Sequence, residues 1–310
     1  MAHLTLDISN AFADAAEKAG QSILLVDARK RMPASGIAFT PELVLTANHV
    51  VERDENLRVI LPDGTSMDAS LAGRDPGSDL ALLKLEKALA TPAETASQAR
   101  VGQLALALGR PSDGGLEASL GMISAISGPV RTPFGLLDRY FRIDATPYPG
   151  FSGGSLIDSE GKVLGVNTSG FGPGTFISIP TALAWKTADE LAKHGSVKRG
   201  YLGIRSQVVE IPEAGQKALQ RGQPTGLLIV GIEAETPAAR SSLLVGDILV
   251  SVAGRAVADH DELFAALTGD VVGKSTPVEV LRGGQPQLVD VVIEARPAEH
   301  AHGHGHHHHR

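Results

Sequence analysis

The segment Pro149-Gly150-Phe151-Ser152-Gly153-Gly154-Ser155-Leu156 holds residue types suited to nucleophilic attack on a carbonyl. A serine hydroxyl is a weak nucleophile. It needs a base to take its proton and donors to hold the charge that develops on the attacked oxygen. Gly150, two residues before Ser152, lets the backbone turn sharply, so that the N–H groups of Gly150 and Ser152 can converge as an oxyanion hole. Taken alone, the segment also reads as a glycine-rich hairpin with an incidental serine. Two further segments bear on that choice. In Leu43-Val44-Leu45-Thr46-Ala47-Asn48-His49-Val50-Val51, a histidine directly follows an apolar run, a setting that His3, His194 and His260 lack. In Arg74-Asp75-Pro76-Gly77-Ser78-Asp79-Leu80-Ala81-Leu82-Leu83-Lys84-Leu85, Asp79 stands at the mouth of a run that is apolar on both faces. An aspartate there is commonly a turn former. Beside an imidazole it would orient the ring and stabilise the imidazolium.

These residues need elements to bring them together. Ser9-Asn10 predicts a helix N-cap, with Gly20 as the stop. From residue 21 the texture changes to short apolar runs bounded by Gly, Pro, Asp and Ser, at 23–26, 37–39, 43–45, 57–61, 80–85 and 104–108, then 123–126, 141–143, 156–157 and 163–166. Runs of this length and spacing predict an all-β barrel or sandwich. Pro180 suits the first position of a helix whose stripe is Leu183, Ala184, Ala188 and Leu191 and whose stop is Gly195. Residues 193–200 are polar, basic and glycine-containing and read as a linker. A second unit has strands expected at 202–204, 227–232, 248–252, 278–281 and 288–293, and helices at 238–243 and 261–267. The expected division is 1–195, 200–296 and a tail, 297–310, in which no core can form. The chain order His49, Asp79, Ser152 is that of chymotrypsin-type barrels, not of subtilisins or α/β-hydrolases.

Composition narrows the function. With no cysteine, disulfides, thiolate nucleophiles and Cys-ligated zinc are excluded. A formal charge of −7 makes the chain a poor binder of phosphate backbones, and 4% aromatic residues leave little for base stacking. The glycine cluster from Gly109 to Gly115 lacks the Lys-Ser/Thr ending of a phosphate-binding loop. No apolar run approaches the ~20 residues that span a bilayer, and the start of the chain lacks a basic-then-apolar leader, so a cytoplasmic protein is expected, or a periplasmic or extracellular one if the N-terminus is already processed.

The motifs LTANHVV, GRDPGSDLALLKL and PGFSGGSL followed by GKVLGVNTSG resemble those of the HtrA family of serine proteases. Gly200-Tyr201-Leu202-Gly203-Ile204 and TPAARSSLLVGDILVSVAGRAV resemble its C-terminal PDZ domain. The resemblance implies a mainly β chain: a chymotrypsin-like double β-barrel followed by an α+β PDZ domain. It implies an ATP-independent serine endopeptidase acting on unfolded or misfolded proteins, with Ser152 as nucleophile, His49 as base then acid and Asp79 as orienter. No cofactor or metal is needed. It also implies a homo-oligomer, a trimer. The chain departs from the family pattern in having Phe151 where Asn is usual and Ser155 where Pro is usual, and residues 27–36 are short where relatives carry a long regulatory loop. Specificity is expected from Thr146, six residues before Ser152, with Pro147 and Ile177 as apolar walls, so that an uncharged aliphatic residue precedes the cut bond. In the second unit Tyr201, Leu202, Gly203 and Ile204 can aim N–H groups at a peptide's terminal carboxylate while the peptide adds a strand. The rival reading is a peptide-binding chaperone or scaffold whose protease fold is held inactive. Two readings also stand for His300, His302, His304, His306, His307, His308 and His309: a metal-binding tail or an inert one.

Overall fold

The computed structural model describes residues 2–132, 135–172 and 174–295. The chain divides between Val197 and Lys198 into two compact units. The first opens with helix α1 (Ala2–Gly20), which starts ahead of the expected cap at Ser9-Asn10. Serine and asparagine each cost only about 0.5 kcal/mol inside a helix, too little to stop propagation once a turn has formed.

Strands β1 (Ile23–Asp27), β2 (Ala34–Ala38), β3 (Leu43–Ala47), β4 (Leu57–Ile60), β5 (Ser66–Asp75) and β6 (Leu80–Leu85) close into a barrel in the order β1-β2-β3-β6-β5-β4. The sequence SMDASLAGRD of β5 has no apolar run, so the reading above missed it; Met67, Gly73 and Asp75 are its buried positions. Next come β7 (Leu104–Ser112) and β8 (Gly115–Ser127), then a ribbon of β9 (Val130–Thr132) and β10 (Gly135–Leu137). With β11 (Tyr140–Ile143), β12 (Ser155–Ile157), β13 (Val163–Thr168) and β14 (Ile177–Pro180), β7 and β8 close a second barrel in the order β11-β14-β13-β12-β7-β8. The fold expectation of a chymotrypsin-like double barrel therefore holds.

A single buried cluster joins the barrels: Leu45, Leu80 and Leu82 from the first, Leu108, Val166 and Ile179 from the second. Helix α2 (Thr181–His194) covers it with Ala184, Ala188 and Leu191. Pro180 is the extended residue before the helix rather than its first turn, and Gly195, at φ +72°, ends it by donating to the Leu191 carbonyl.

In the second unit, β15 (Gly200–Tyr201) pairs with β22 (Glu294–Ala295). The main sheet runs β16 (Ile204–Glu210), β17 (Thr225–Ile232), β18 (Ile248–Val252), β20 (Ser275–Arg282), β21 (Gln285–Val292), with β19 (Arg255–Ala256) on β18. Helices α3 (Glu213–Ala218) and α4 (His260–Ala266) complete an α+β unit. Its core holds Leu202, Leu227, Ile229, Leu249, Leu263, Val278, Val280 and Val291. The helix expected at 238–243 is not formed. Ala238 and Leu243 are buried, which gave the apolar spacing. The hydrogen bonds switch from Arg240 N–H to the Thr236 carbonyl to Ser241 N–H to the Ala238 carbonyl, so the segment is a series of turns.

Those turns end on Asp247, which is 1% exposed. Its carboxylate accepts from Arg282 Nε and Nη2, both at 2.7 Å, and from the Leu244 N–H at 2.9 Å. Burial pushes its pKa up, but the guanidinium and the amide outweigh burial and hold it below the ordinary carboxylate value. A depressed folded pKa stabilises fully above the unfolded value of about 3.9 and loses that contribution as pH falls through the folded value. Opening of β18 and β20, followed by hydrogen exchange in the full chain, should therefore become easier below about pH 4. Asp247→Asn should lower their protection by about 1–3 kcal/mol at neutral pH and flatten that acid limb.

Candidate active site

The end of β3 delivers His49 on a single 3-10 turn, Asn48–Val50. Asp79 closes the turn between β5 and β6, its N–H donating to the Pro76 carbonyl at 3.2 Å, with φ at +54°. A non-glycine residue adopts that left-handed backbone at a cost, aspartate less than most. Pairing of Ala47 with Leu80 sets the two side by side. His49 Nδ1 lies 2.7 Å from Asp79 Oδ2, and the His49 backbone N–H donates to Oδ1 at 2.8 Å. The Asn48 N–H donates to the Asp79 carbonyl at 2.9 Å. The side chain of His49 is 32% exposed and that of Asp79 is 7% exposed, so the imidazole faces solvent and the carboxylate does not.

Ser152 sits in the loop before β12. Gly150 and Gly153 have φ of +83° and +85°, which accounts for both glycines. A methyl on Gly153 would strike the Ser35 carbonyl and Thr46 Oγ1, and one on Gly154 would strike the Leu108 carbonyl. Ser35, buried on β2, ties the loop down: its Oγ donates to the Gly150 carbonyl at 2.7 Å and its N–H to the Ser152 carbonyl at 3.2 Å. Phe151 is 1% exposed, edge-on to Tyr148 with ring centres 5.4 Å apart, and fills the space over Gly109. Among the described residues, the Gly150 and Ser152 N–H groups donate to no protein acceptor.

Residues 168–170, at and just after the end of β13, touch this whole site, and sequence reasoning missed all of them. Thr168 Oγ1 donates to Asp79 Oδ2. A methyl on Gly170 would strike Asp79 Oδ2 and lie 2.7 Å from His49 Nδ1, so only glycine lets the backbone pass this close. Ser169 Oγ lies 3.1 Å from Ser152 Oγ, and the Ser169 N–H donates to the same oxygen at 3.3 Å. The run VNTSG closes GKVLGVNTSG, quoted above for its resemblance to the family, but no role was read from its residues.

Thr146, Pro147 and Ile177 differ in burial. Thr146 and Pro147 are exposed, while Ile177, 6% exposed, packs in the barrel core with Val166 and Ile179. In the second unit Leu202 is 2% exposed and Gly203 has φ +77°. The carbonyls of Leu202 and Gly203 accept from the Ala238 and Glu233 N–H groups at 2.8 and 2.9 Å. Among the described residues, the Leu202 and Gly203 N–H groups have no protein acceptor. Tyr201 belongs to β15 and Ile204 starts β16, which is an edge strand. His260, first residue of α4, lies against that strand, Nε2 at 3.1 Å from Ser206 Oγ and 3.2 Å from the Ser206 carbonyl. The tail histidines from His300 onward lie outside the described residues. No described helix is long and apolar enough to cross a membrane.

Residues 34–166 match the trypsin-like peptidase domain family and residues 200–293 the PDZ domain family. A probable periplasmic serine endoprotease, DegP-like, of Brucella suis biovar 1 (strain 1330) is 32% identical over 263 residues, covering 82% of this chain and 50% of that protein. The periplasmic pH-dependent serine endoprotease DegQ of Escherichia coli (strain K12) is 30% identical over 270 residues, covering 83% of this chain and 58% of that protein. The chain spans about half the length of the curated relatives it matches. Among solved structures, the HtrA-type protease AlgW with a tripeptide superposes with a TM-score of 0.77 at 29% identity, over 92% of this chain and 97% of AlgW. The serine endoprotease from Yersinia pestis gives 0.71 at 27% identity, over 92% and 98%. Both curated relatives are periplasmic, which overturns the expectation of a cytoplasmic protein. A leader is removed from a mature chain, so its lack says nothing about compartment. Two closed barrels, a following PDZ fold and these relatives lead to one conclusion: the chain belongs to the HtrA family of serine proteases.

Proposed function

We propose that the chain is an ATP-independent serine endopeptidase for unfolded proteins and that Ser152, His49 and Asp79 carry the chemistry. The observation that carries this reading is the His49–Asp79 pair, 2.7 Å apart, in one site with a serine flanked by unengaged amides. Ser152 Oγ attacks the peptide carbonyl as His49 Nε2 takes its proton. The oxyanion is received by the N–H groups of Gly150 and Ser152. His49 then protonates the departing amine, and water, deprotonated by the same ring, releases the acyl group. Asp79 keeps Nδ1 protonated, so that Nε2 is the free nitrogen, and Thr168 and the His49 amide hold Asp79 in place. On the resemblance alone, the active species is a homotrimer.

The second unit is proposed to capture peptide C-termini. N–H groups at Leu202 and Gly203 without an acceptor among the described residues, beside the edge strand β16, support this reading. The solved AlgW structures hold a tripeptide or a decapeptide.

One observation favours the rival reading of a binding protein with an idle protease site: Ser152 Oγ bonds Ser169 rather than His49. Covalent labelling separates the two. A fluorophosphonate should modify Ser152 in the wild-type chain, and Ser152→Ala should lose both labelling and cleavage of casein. Casein cleavage retained in Ser152→Ala would place the chemistry elsewhere, and no labelling of the wild type would favour the rival.

Thr146 offers no carboxylate to a bound Lys or Arg, and burying either unpaired is costly. A cleavage-site profile should be led by Val, Ala, Leu or Ile before the cut bond; a majority of cuts after Lys or Arg would refute the reading of Thr146 as the residue that faces the substrate side chain. For the second unit, amidating an apolar C-terminal peptide removes its charge and leaves its side chains. Binding to the full-length Ser152→Ala chain should weaken on amidation by about tenfold, the scale of a charge-assisted hydrogen bond. Equal affinity for the acid and the amide would reject carboxylate capture while leaving the protease proposal standing.

A further inference from the structure

Thr168 and Gly170 are accounted for by the His49–Asp79 pair, one as a donor and the other by its lack of a side chain. Ser169 between them has a different object. Its Oγ and its N–H both meet Ser152 Oγ, at 3.1 and 3.3 Å. A hydroxyl has one proton and two acceptor sites. The Ser169 amide takes one acceptor site. The Ser169 hydroxyl either takes the other or receives the Ser152 proton, and in both cases the Ser152 oxygen is held toward the 168–170 segment. His49, meanwhile, is committed through Nδ1 to Asp79. The base is therefore in working order while the nucleophile is turned to another partner. Attack requires the Ser152 side chain to turn about its Cα–Cβ bond and give up both contacts.

We propose that Ser169 is a positioning residue that parks the Ser152 hydroxyl off the base in the substrate-free protein. This rests on the reading of Ser152 as nucleophile. Ser169 is exposed, so a peptide lying across the site reaches it and can replace the Ser152 contact with one of its own. The device sets how often the free site is armed, and it leaves the His49–Asp79 geometry untouched.

Removing the hydroxyl while leaving the backbone amide isolates the device. The contribution of one neutral hydrogen bond corresponds to a change of about fivefold in the armed population. Ser169→Ala should thus be labelled at Ser152 by a small fluorophosphonate about fivefold faster than wild type, and KM for a short peptide should fall with little change in kcat, because bound peptide itself frees the hydroxyl in the wild type. Ser169→Thr, which keeps a hydroxyl, should return labelling toward the wild-type rate. Labelling of Ser169→Ala at or below the wild-type rate would overturn the proposal. So would equal acceleration in the Ala and Thr variants, which would trace the effect to side-chain size. The melting temperature of each variant, measured alongside, confirms that folded proteins are compared. Ser152→Ala runs in parallel: if it still labels, the nucleophile assignment has failed; if it is silent while Ser169→Ala shows no gain, only the parking role has.

Discussion

Asp79 is a buried residue placed where the two barrels meet, and the geometry of the site follows from satisfying its carboxyl group. A buried acceptor without donors costs more than most single contacts return. Here the donors come from separate parts of the chain: the imidazole and amide of His49 from the end of β3, and the hydroxyl of Thr168 from the end of β13. The two strands belong to different barrels, so the carboxyl group also fixes where one barrel sits against the other. Its own backbone, at φ +54°, lies in the sparsely populated left-handed region, and the Asn48 and Asp79 backbone bonds hold that turn.

The nucleophile loop meets a different constraint, crowding. Gly153 and Gly154 bring backbone to within van der Waals reach of the Ser35 and Leu108 carbonyls, where no side chain fits. Ser35 then fastens the Gly150 carbonyl, and Phe151 anchors the loop in the second barrel's core. The peptide groups around Ser152 are thus held from two sides while the N–H groups of Gly150 and Ser152 remain free of protein acceptors among the described residues. In the second unit the same economy appears at the turn before β16: the carbonyls of Leu202 and Gly203 are used for structure and their N–H groups are left open.

The order His49, Asp79, Ser152, the glycines around the serine and the change from a β-rich region to a smaller unit of strands and helices were legible in the sequence, because each rests on local residue type: a histidine after an apolar strand, an aspartate in a turn, glycine where the backbone must turn; the pairing of two barrels came only with the family resemblance. Tertiary structure alone supplied the rest. β5 is polar along most of its length and becomes a strand only because the barrel must close. The apolar spacing at 238–243 marks a buried turn, since burial and not periodicity sets which residues are apolar there. The 168–170 segment ends a run that resembles the family's, but its contacts with His49, Asp79 and Ser152 exist only because the folded chain brings the end of β13 over residues that lie more than eighty positions upstream as well as over Ser152. Which residues could do chemistry is a matter of side-chain type and is written in the sequence; which hydroxyl points at which partner depends on contacts between distant segments, and only the fold decides it.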